Sequence, residues 1–319
     1  MPKYSIITAL YNSYDLMDRY FEALSNQSFK DFEVIIVDDC STDDSYDRLQ
    51  QKIGTLSFPI IALKADYNQG PGNARNLGIS KARGEWITFV DNDDWVTNDF
   101  LLSIDEVVSN ERTNCIIFDY SVFRDGKVSP AKSMYSCEGG YKSVASCIQY
   151  VRNHTFGKVY RKSSIINVRF PNIRRCEDIA FVSQAIAACQ GAFYLPKSLY
   201  YYWQRPSSLS KKKGMDESEL VKAFSILEQA LGKSYPQEIK EKSVCDLLYG
   251  VVLVMCKAGK SSKIIKTYVH NYENRYPDWW QCEIINRIGR VKKFYLSFIK
   301  HKLVFPLRIL TLIHSKITG

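Results

Sequence analysis

The chain has 319 residues, 45% hydrophobic and 24% charged, with a net charge of +9. That length and balance supply a sizeable core and about two domains, and exclude a disordered, collagen-like or disulfide-stapled chain. The charge is uneven: no acidic residue follows Glu283, and eight cations from Arg287 to Lys316 carry all but +1 of the total.

Residues 1–120 alternate short apolar runs with helical patterns. Strands are expected at Ser5–Leu10, Phe32–Val37, Phe58–Leu63, Trp86–Val90 and Cys115–Tyr120, with helices near Tyr14–Asn26, Asp44–Ile53 and Asn73–Ala82. Val34–Val37 and Ile87–Val90 are apolar without clean alternation, as parallel strands covered on both faces are. Met17, Tyr20, Phe21 and Leu24 make one helical stripe. The polar stretch Arg124–Ser143 reads as an excursion over one sheet edge. Strand signals return at Gly157–Tyr160 and Leu199–Trp203, around a helix near Ile179–Cys189. Beyond Lys211–Asp216 the pattern is helical, with Val244, Leu247, Leu248, Val251, Val252 and Met255 on one buried face. The expected fold is α/β, a mostly parallel sheet flanked by helices in residues 1–213, followed by a helical region in 214–319.

Nine scattered cysteines with no CxxC pair predict reduced thiols and a cytoplasmic setting. Met1–Thr8 enters a strand pattern at once, so no signal peptide is expected, and no long uncharged apolar run predicts a membrane span.

In open parallel sheets ligands bind beyond the carboxyl ends of the strands. Here those ends read Tyr11-Asn12, Asp38-Asp39-Cys40-Ser41-Thr42-Asp43, Asp66-Tyr67-Asn68-Gln69-Gly70 and Asp91-Asn92-Asp93-Asp94. Three carboxylates crowded within Asp91–Asp94 suit a hard divalent ion, magnesium or manganese, that shares diphosphate oxygens; one of them capping the next helix is the simpler alternative. Asp39 can accept from a nucleobase N–H or a ribose hydroxyl. Arg75 stands where a GxGxxG fingerprint needs its third glycine, which disfavours a dinucleotide-binding dehydrogenase. Glu177-Asp178 precede the apolar pattern of Ile179, Val182 and Ile186, so they sit at a helix N-terminus that favours their charge. Arg205 and Lys158 are candidates for phosphate contact or ordinary surface cations.

In order and spacing, Ser5-Ile6-Ile7 with Tyr11-Asn12, Val37–Asp43, Asn68–Gly70 with Ala74–Gly78, and Asp91–Asp94 resemble the N-terminal half of family 2 glycosyltransferases of the GT-A fold. The resemblance loosens through Gly157–Arg161, Cys176–Asp178 and Tyr201–Ser210. It implies an inverting, metal-dependent transfer from a nucleotide-sugar, UDP-linked by expectation; the lack of a processive signature favours one sugar per encounter, and a lipid-facing tail favours a glycan or lipid-linked acceptor in polysaccharide biosynthesis. It implies that Asp39 holds the nucleobase, Asp91 the ribose and Asp93, with Asp91 as a DxD pair, the Mn2+ or Mg2+ ion. Asp178 is the implied base, with Glu177 beside it, and Asp38, Tyr11, Asn68, Arg75 and Arg205 complete the donor set. Cys40 and Asn92 depart from the commonest pattern, and no QxxRW signature of processive members is present. The alternatives are a nucleotidyltransferase, for which Ile7–Asn12 lacks a glycine- and basic-rich loop, and a catalytically inactive, membrane-docked scaffold.

From about residue 287 onward, Val291, Phe294, Tyr295 and Phe298 form an apolar stripe beside Lys292, Lys293 and Lys300, followed by Ile309, Leu310, Leu312 and Ile313. That pattern predicts a helix lying on anionic lipid, peripheral on the inner membrane face. No basic stripe on the body argues for nucleic acid.

Overall fold

The computed structural model describes residues 1–135, 138–205 and 216–318, with side chains of the last helix as far as Leu312. The chain divides into two compact units, Met1–Arg205 and Pro206–Gly319. The boundary expected between residues 213 and 214 lies outside the described residues.

In the first unit the strands are β1 (Tyr4–Leu10), β2 (Phe32–Asp38), β3 (Ile60–Lys64), β4 (Trp86–Phe89), β5 (Trp95–Val96), β6 (Cys115–Arg124), β7 (Lys127–Pro130), β8 (Gly140–Lys142), β9 (Lys158–Arg161) and β10 (Ala192–Trp203). The helices are α1 (Asp18–Ser25), α2 (Ser45–Ile53), α3 (Pro71–Lys81), α4 (Phe100–Asn110), α5 (Val144–Tyr150) and α6 (Glu177–Ala188). The sheet order is β3-β2-β1-β4-β9-β6-β10-β5. Strands β1 to β4 pair in parallel, as do β6 and β10, while β9 lies antiparallel between β4 and β6.

Period-2 alternation divides each strand between two cores. Along β1, Tyr4, Ile6 and Leu10 join Tyr20, Phe21 and Leu24 of α1, while Ile7 joins Ala74 and Ile79 of α3 on the other face. α3 comes so close to β1 that a Cβ at Gly78 would lie 2.4 Å from Ile7 Cγ2. The expected first helix is a 3₁₀ turn at Tyr14–Leu16 followed by α1. Arg124–Ser143 is more structured than an excursion: a two-residue turn at Asp125-Gly126, with φ of +49° and +76°, folds β7 back onto β6, and β8 pairs with β10. Asp-Gly between strands is the local signal for that turn.

The second unit holds α7 (Glu217–Leu231), α8 (Pro236–Ser243), a π-helical turn at Val244–Tyr249, α9 (Gly250–Lys257), α10 (Ser262–Arg275), α11 (Ile284–Arg287), α12 (Arg290–Lys300) and α13 (Val304–Thr318). The six apolar residues of the expected stripe from Val244 to Met255 are all buried. On α12 the single expected lipid-facing stripe divides: Tyr295 turns inward and meets Thr311 through their hydroxyls at 3.1 Å, while Val291 and Phe294 stay exposed. No helix among the described residues is long and apolar enough to cross a membrane.

Candidate active site

The carboxyl ends of β1 to β4 meet loops that are stitched to one another. Asn12 and Cys40, just past β1 and β2, have φ of +46° and +60°, the left-handed region that non-glycine residues rarely occupy. The Asn12 carboxamide donates to the Thr42 hydroxyl at 2.9 Å and accepts from the Thr42 N–H at 2.8 Å. Asp38 is fully buried and accepts from the Ser41 N–H at 3.0 Å and from the Ser41 hydroxyl. Asp39, also buried, accepts from the backbone N–H groups of Gln69 at 3.0 Å and Gly70 at 2.7 Å, while Asn68 donates to its carbonyl. Gly70, at φ +91°, turns the chain into α3, so the Asp39 carboxylate fixes where that helix begins.

From the second turn of α3, Arg75 reaches two carboxylates. Its guanidinium donates to Asp91 and to Glu177, both at 2.8 Å, and its side chain is only 8% exposed. Burial pulls the Arg75 pKa down, but Asp91 and Glu177 more than offset this and hold it above the ordinary value. The three neighbouring aspartates have separate partners. Asp93 pairs with Arg205. Asp94, buried, accepts from the Tyr200 hydroxyl at 2.7 Å and the Trp203 N–H at 2.8 Å, which fastens the end of β4 to β10. Burial first, then Asp91, raises the Asp93 pKa despite Arg205; burial with Asp93 and Asp91 raises Asp94 well above its ordinary value.

Asp178 follows Glu177 at the N-terminus of α6, behind Cys176, whose φ is +64°. Its side chain accepts from the Ile179 N–H at 2.9 Å. Arg75, Asp91, His154, Thr155, Phe156, Glu177 and Asp178 line a cleft of about 100 Å³. A larger depression of about 490 Å³, lined by Val108–Asn114 and Arg161, lies at the opposite, amino end of β6 and holds none of these groups.

Among the described residues no group of three or more His, Cys, Asp or Glu side chains is arranged to hold a metal. Asp91 and Asp93 nonetheless fit one: both are hard oxygen donors, both keep part of their side chain in solvent, and their mutual repulsion is of the kind a divalent cation relieves.

The residues singled out from sequence are therefore not gathered in one place. Arg75, Asp91, Glu177 and Asp178 share the cleft, Asp93 and Arg205 form their own pair, and Tyr11 stands exposed past β1. Asp38 and Asp39 are engaged with the loops they shape. Lys158 is no surface cation: it is buried and donates to the carbonyls of His154 and Phe156 at 2.5 and 3.0 Å. Sequence reasoning missed the separate duty of Asp94 and the cleft residues Thr155 and Phe156, none of which carries a local pattern.

The sequence profile "Glycosyl transferase family 2" matches residues 5–169. The UDP-Glc:alpha-D-GlcNAc-diphosphoundecaprenol beta-1,3-glucosyltransferase WfaP of Escherichia coli is 30% identical over 77% of this chain and 92% of its own length. EpsH of Bacillus subtilis is 30% identical over 66% of this chain and 63% of its own, and the poly(ribitol-phosphate) beta-N-acetylglucosaminyltransferase TarS of Staphylococcus aureus is 27% identical over 63% and 35%. This chain thus matches less than two thirds of the length of those two relatives. The structure of TarS residues 1–349 with UDP-GlcNAc superposes with a TM-score of 0.73, covering 98% of this chain and 92% of that one at 18% identity, which establishes a GT-A fold. A profile that spans more than half of the chain and an Escherichia coli relative aligned along most of it lead to one conclusion: the chain belongs to glycosyl transferase family 2.

Proposed function

We propose that this chain transfers a single sugar, with inversion, from a UDP-sugar to a glycan or lipid-linked acceptor in surface-polysaccharide synthesis. The observation that carries the reading is the cleft in which Asp178 and Asp91 face the same space. An inverting transfer needs one carboxylate to take the acceptor hydroxyl proton as its oxygen bonds the anomeric carbon and the bond to the diphosphate breaks. Asp178 is that base, its charge favoured by the N-terminus of α6. Glu177 cannot readily share the task, because its carboxylate is committed to Arg75.

Tyr11, Asp39, Asn68, Arg75 and Asp91 make up the nucleoside side of the donor site. Asp39 retains acceptor capacity beyond its two backbone bonds, since a carboxylate offers about four lone-pair sites. Asp38 shapes the Ser41 turn. Asp93, with Asp91, holds magnesium or manganese, which when bound neutralises charge on the departing diphosphate. Arg205, paired with Asp93 in this structure, exchanges that carboxylate for a phosphate oxygen when the donor binds; its cationic charge beside Asp93 supports this reading. A UDP donor is supported by the name of WfaP and by the UDP-GlcNAc complex of TarS.

Two variants test the assignment. Asp178→Asn should leave UDP affinity nearly intact and lower turnover by roughly a hundredfold or more; equal losses in both would make Asp178 a structural residue. Manganese with UDP should stabilise the native chain by about 2.7 kcal/mol at a hundredfold excess over Kd. In Asp93→Ala the metal-dependent part of that shift should vanish, and an unchanged shift removes Asp93 from the metal site.

A further inference from the structure

We infer that α12 and α13 form a docking surface for an anionic lipid bilayer, with outward stripes of Val291 and Phe294 on α12 and of Phe305, Ile309 and Leu312 on α13. Each helix is apolar on two sides. Tyr295, Leu296 and Ile299 of α12 and Val304 and Leu307 of α13 are buried within the second unit, which meets the needs of its core. The outward stripes are additional: Val291 is 64% exposed, Phe294 56%, Phe305 75% and Leu312 66%. Six of the sixteen large apolar or aromatic side chains exposed on the described residues fall between Val291 and Leu312. Such a concentration in a soluble chain marks a surface that something covers.

The charge around the stripes selects the occupant. Three of the eight cations beyond Glu283 are engaged within the second unit: Arg287 pairs with Glu241 and Glu283, Lys302 with Glu273, and Arg308 donates to the Lys260 carbonyl. Arg290, Lys292, Lys293 and Lys300 are exposed and have no ion-pair partner among the described residues. Lys292 and Lys300 lie over the rings of Tyr249 and Trp280, at 5.0 and 4.6 Å, arrangements that leave their ammonium groups available to an anion. A second copy of the chain is the poorer occupant, since a two-fold interface sets a patch against itself and would face these cations with their own kind. A bilayer with anionic headgroups accepts the rings below its surface and the cations at it.

This inference is separate from the donor chemistry, and its test reads binding alone. The full chain is sedimented with vesicles of phosphatidylcholine and with vesicles containing phosphatidylglycerol, beside the variants Arg290→Gln/Lys293→Gln and Phe294→Ser/Phe305→Ser. All four substituted side chains are exposed, so circular dichroism should report an unchanged fold. Binding is expected only where phosphatidylglycerol is present and should weaken in salt. Removing two cations should lower the partition constant about 30-fold, at ~1 kcal/mol per basic residue near the surface. The phenylalanine variant should lose at least as much. Equal binding to both vesicle types, no binding by the parent chain, or variants that bind as it does would overturn the inference. So would a dimer in size exclusion that Phe294→Ser/Phe305→Ser dissociates, because a second copy would then own the face.

Discussion

Arg75→Met is the most informative single change, because the side chain it replaces neutralises two carboxylates, one just past β4 and one at the start of α6. The methionine keeps the aliphatic volume but removes both 2.8 Å ion pairs. Asp91, 29% exposed, can recover water; Glu177, 9% exposed, cannot. Breaking a buried pair from one side costs about 3–5 kcal/mol through the charge left behind, and solvent at Asp91 places the expectation at the lower end, ~3 kcal/mol. Against a total stability of about 5–15 kcal/mol this is a large fraction. With a urea slope of about 2–3 kcal/mol per molar, the midpoint should fall by roughly 1–1.5 M. Adding Glu177→Gln removes the stranded charge and should restore most of the loss, a coupling that a double-mutant cycle reads directly. A loss below about 1 kcal/mol in Arg75→Met, or no recovery in the double variant, would refute the view that Arg75 is the counter-charge of Glu177.

Cys40→Gly should raise stability by about 0.5–1 kcal/mol, because the left-handed backbone at φ +60° that strains cysteine costs glycine nothing; a lower thermal midpoint would show that the thiol contributes more than the strain. His154, stacked on Phe156 at 4.7 Å, has its pKa lowered to about 3 by burial and by Lys158 and Arg152. The unfolded chain binds its proton near pH 6.5 and the folded chain does not, so this residue makes stability fall as pH drops from about 6.5 toward 3, by at most ~1.4 kcal/mol per unit. His154→Phe should flatten that part of the curve relative to the parent chain, and parallel curves would contradict the assignment.

The features legible in the sequence share a physical origin. Buried parallel strands leave unbroken apolar runs and helices leave stripes, so β1, β2, β4 and α1 announce themselves, and the polar residues that end the strands point to the ligand side. The same logic could have found α4, whose Phe100, Leu101, Ile104 and Val107 repeat at helical spacing and are buried. Partner choice is different. Nothing near Arg75 indicates Glu177, 102 residues away, and nothing near Asp94 indicates Tyr200. Periodicity says which face a side chain takes, not which distant group it meets there. Hence three adjacent aspartates read as one cluster, although Asp91, Asp93 and Asp94 serve an arginine of α3, an arginine past β10 and a strand end respectively.

The distances along the chain that hid these partners also set a schedule for biosynthesis. Apart from Arg205, the residues of the proposed donor site all lie in the first 94, yet Glu177 and Tyr200 follow their partners by 102 and 106 residues. At about 5–20 residues per second, the ribosome delivers them some 5–20 s later. In that interval Asp91, Asp93 and Asp94 repel one another without Arg205, Tyr200 or Trp203 to hold them, and β4 has a bare edge until β9 arrives to pair with it. An unpaired edge beside a buried apolar face invites wrong strand pairing. The nascent chain is therefore most exposed to misassembly, and most in need of a holding chaperone, when it already carries its aspartate motifs but not yet Glu177, Tyr200, Trp203 and Arg205.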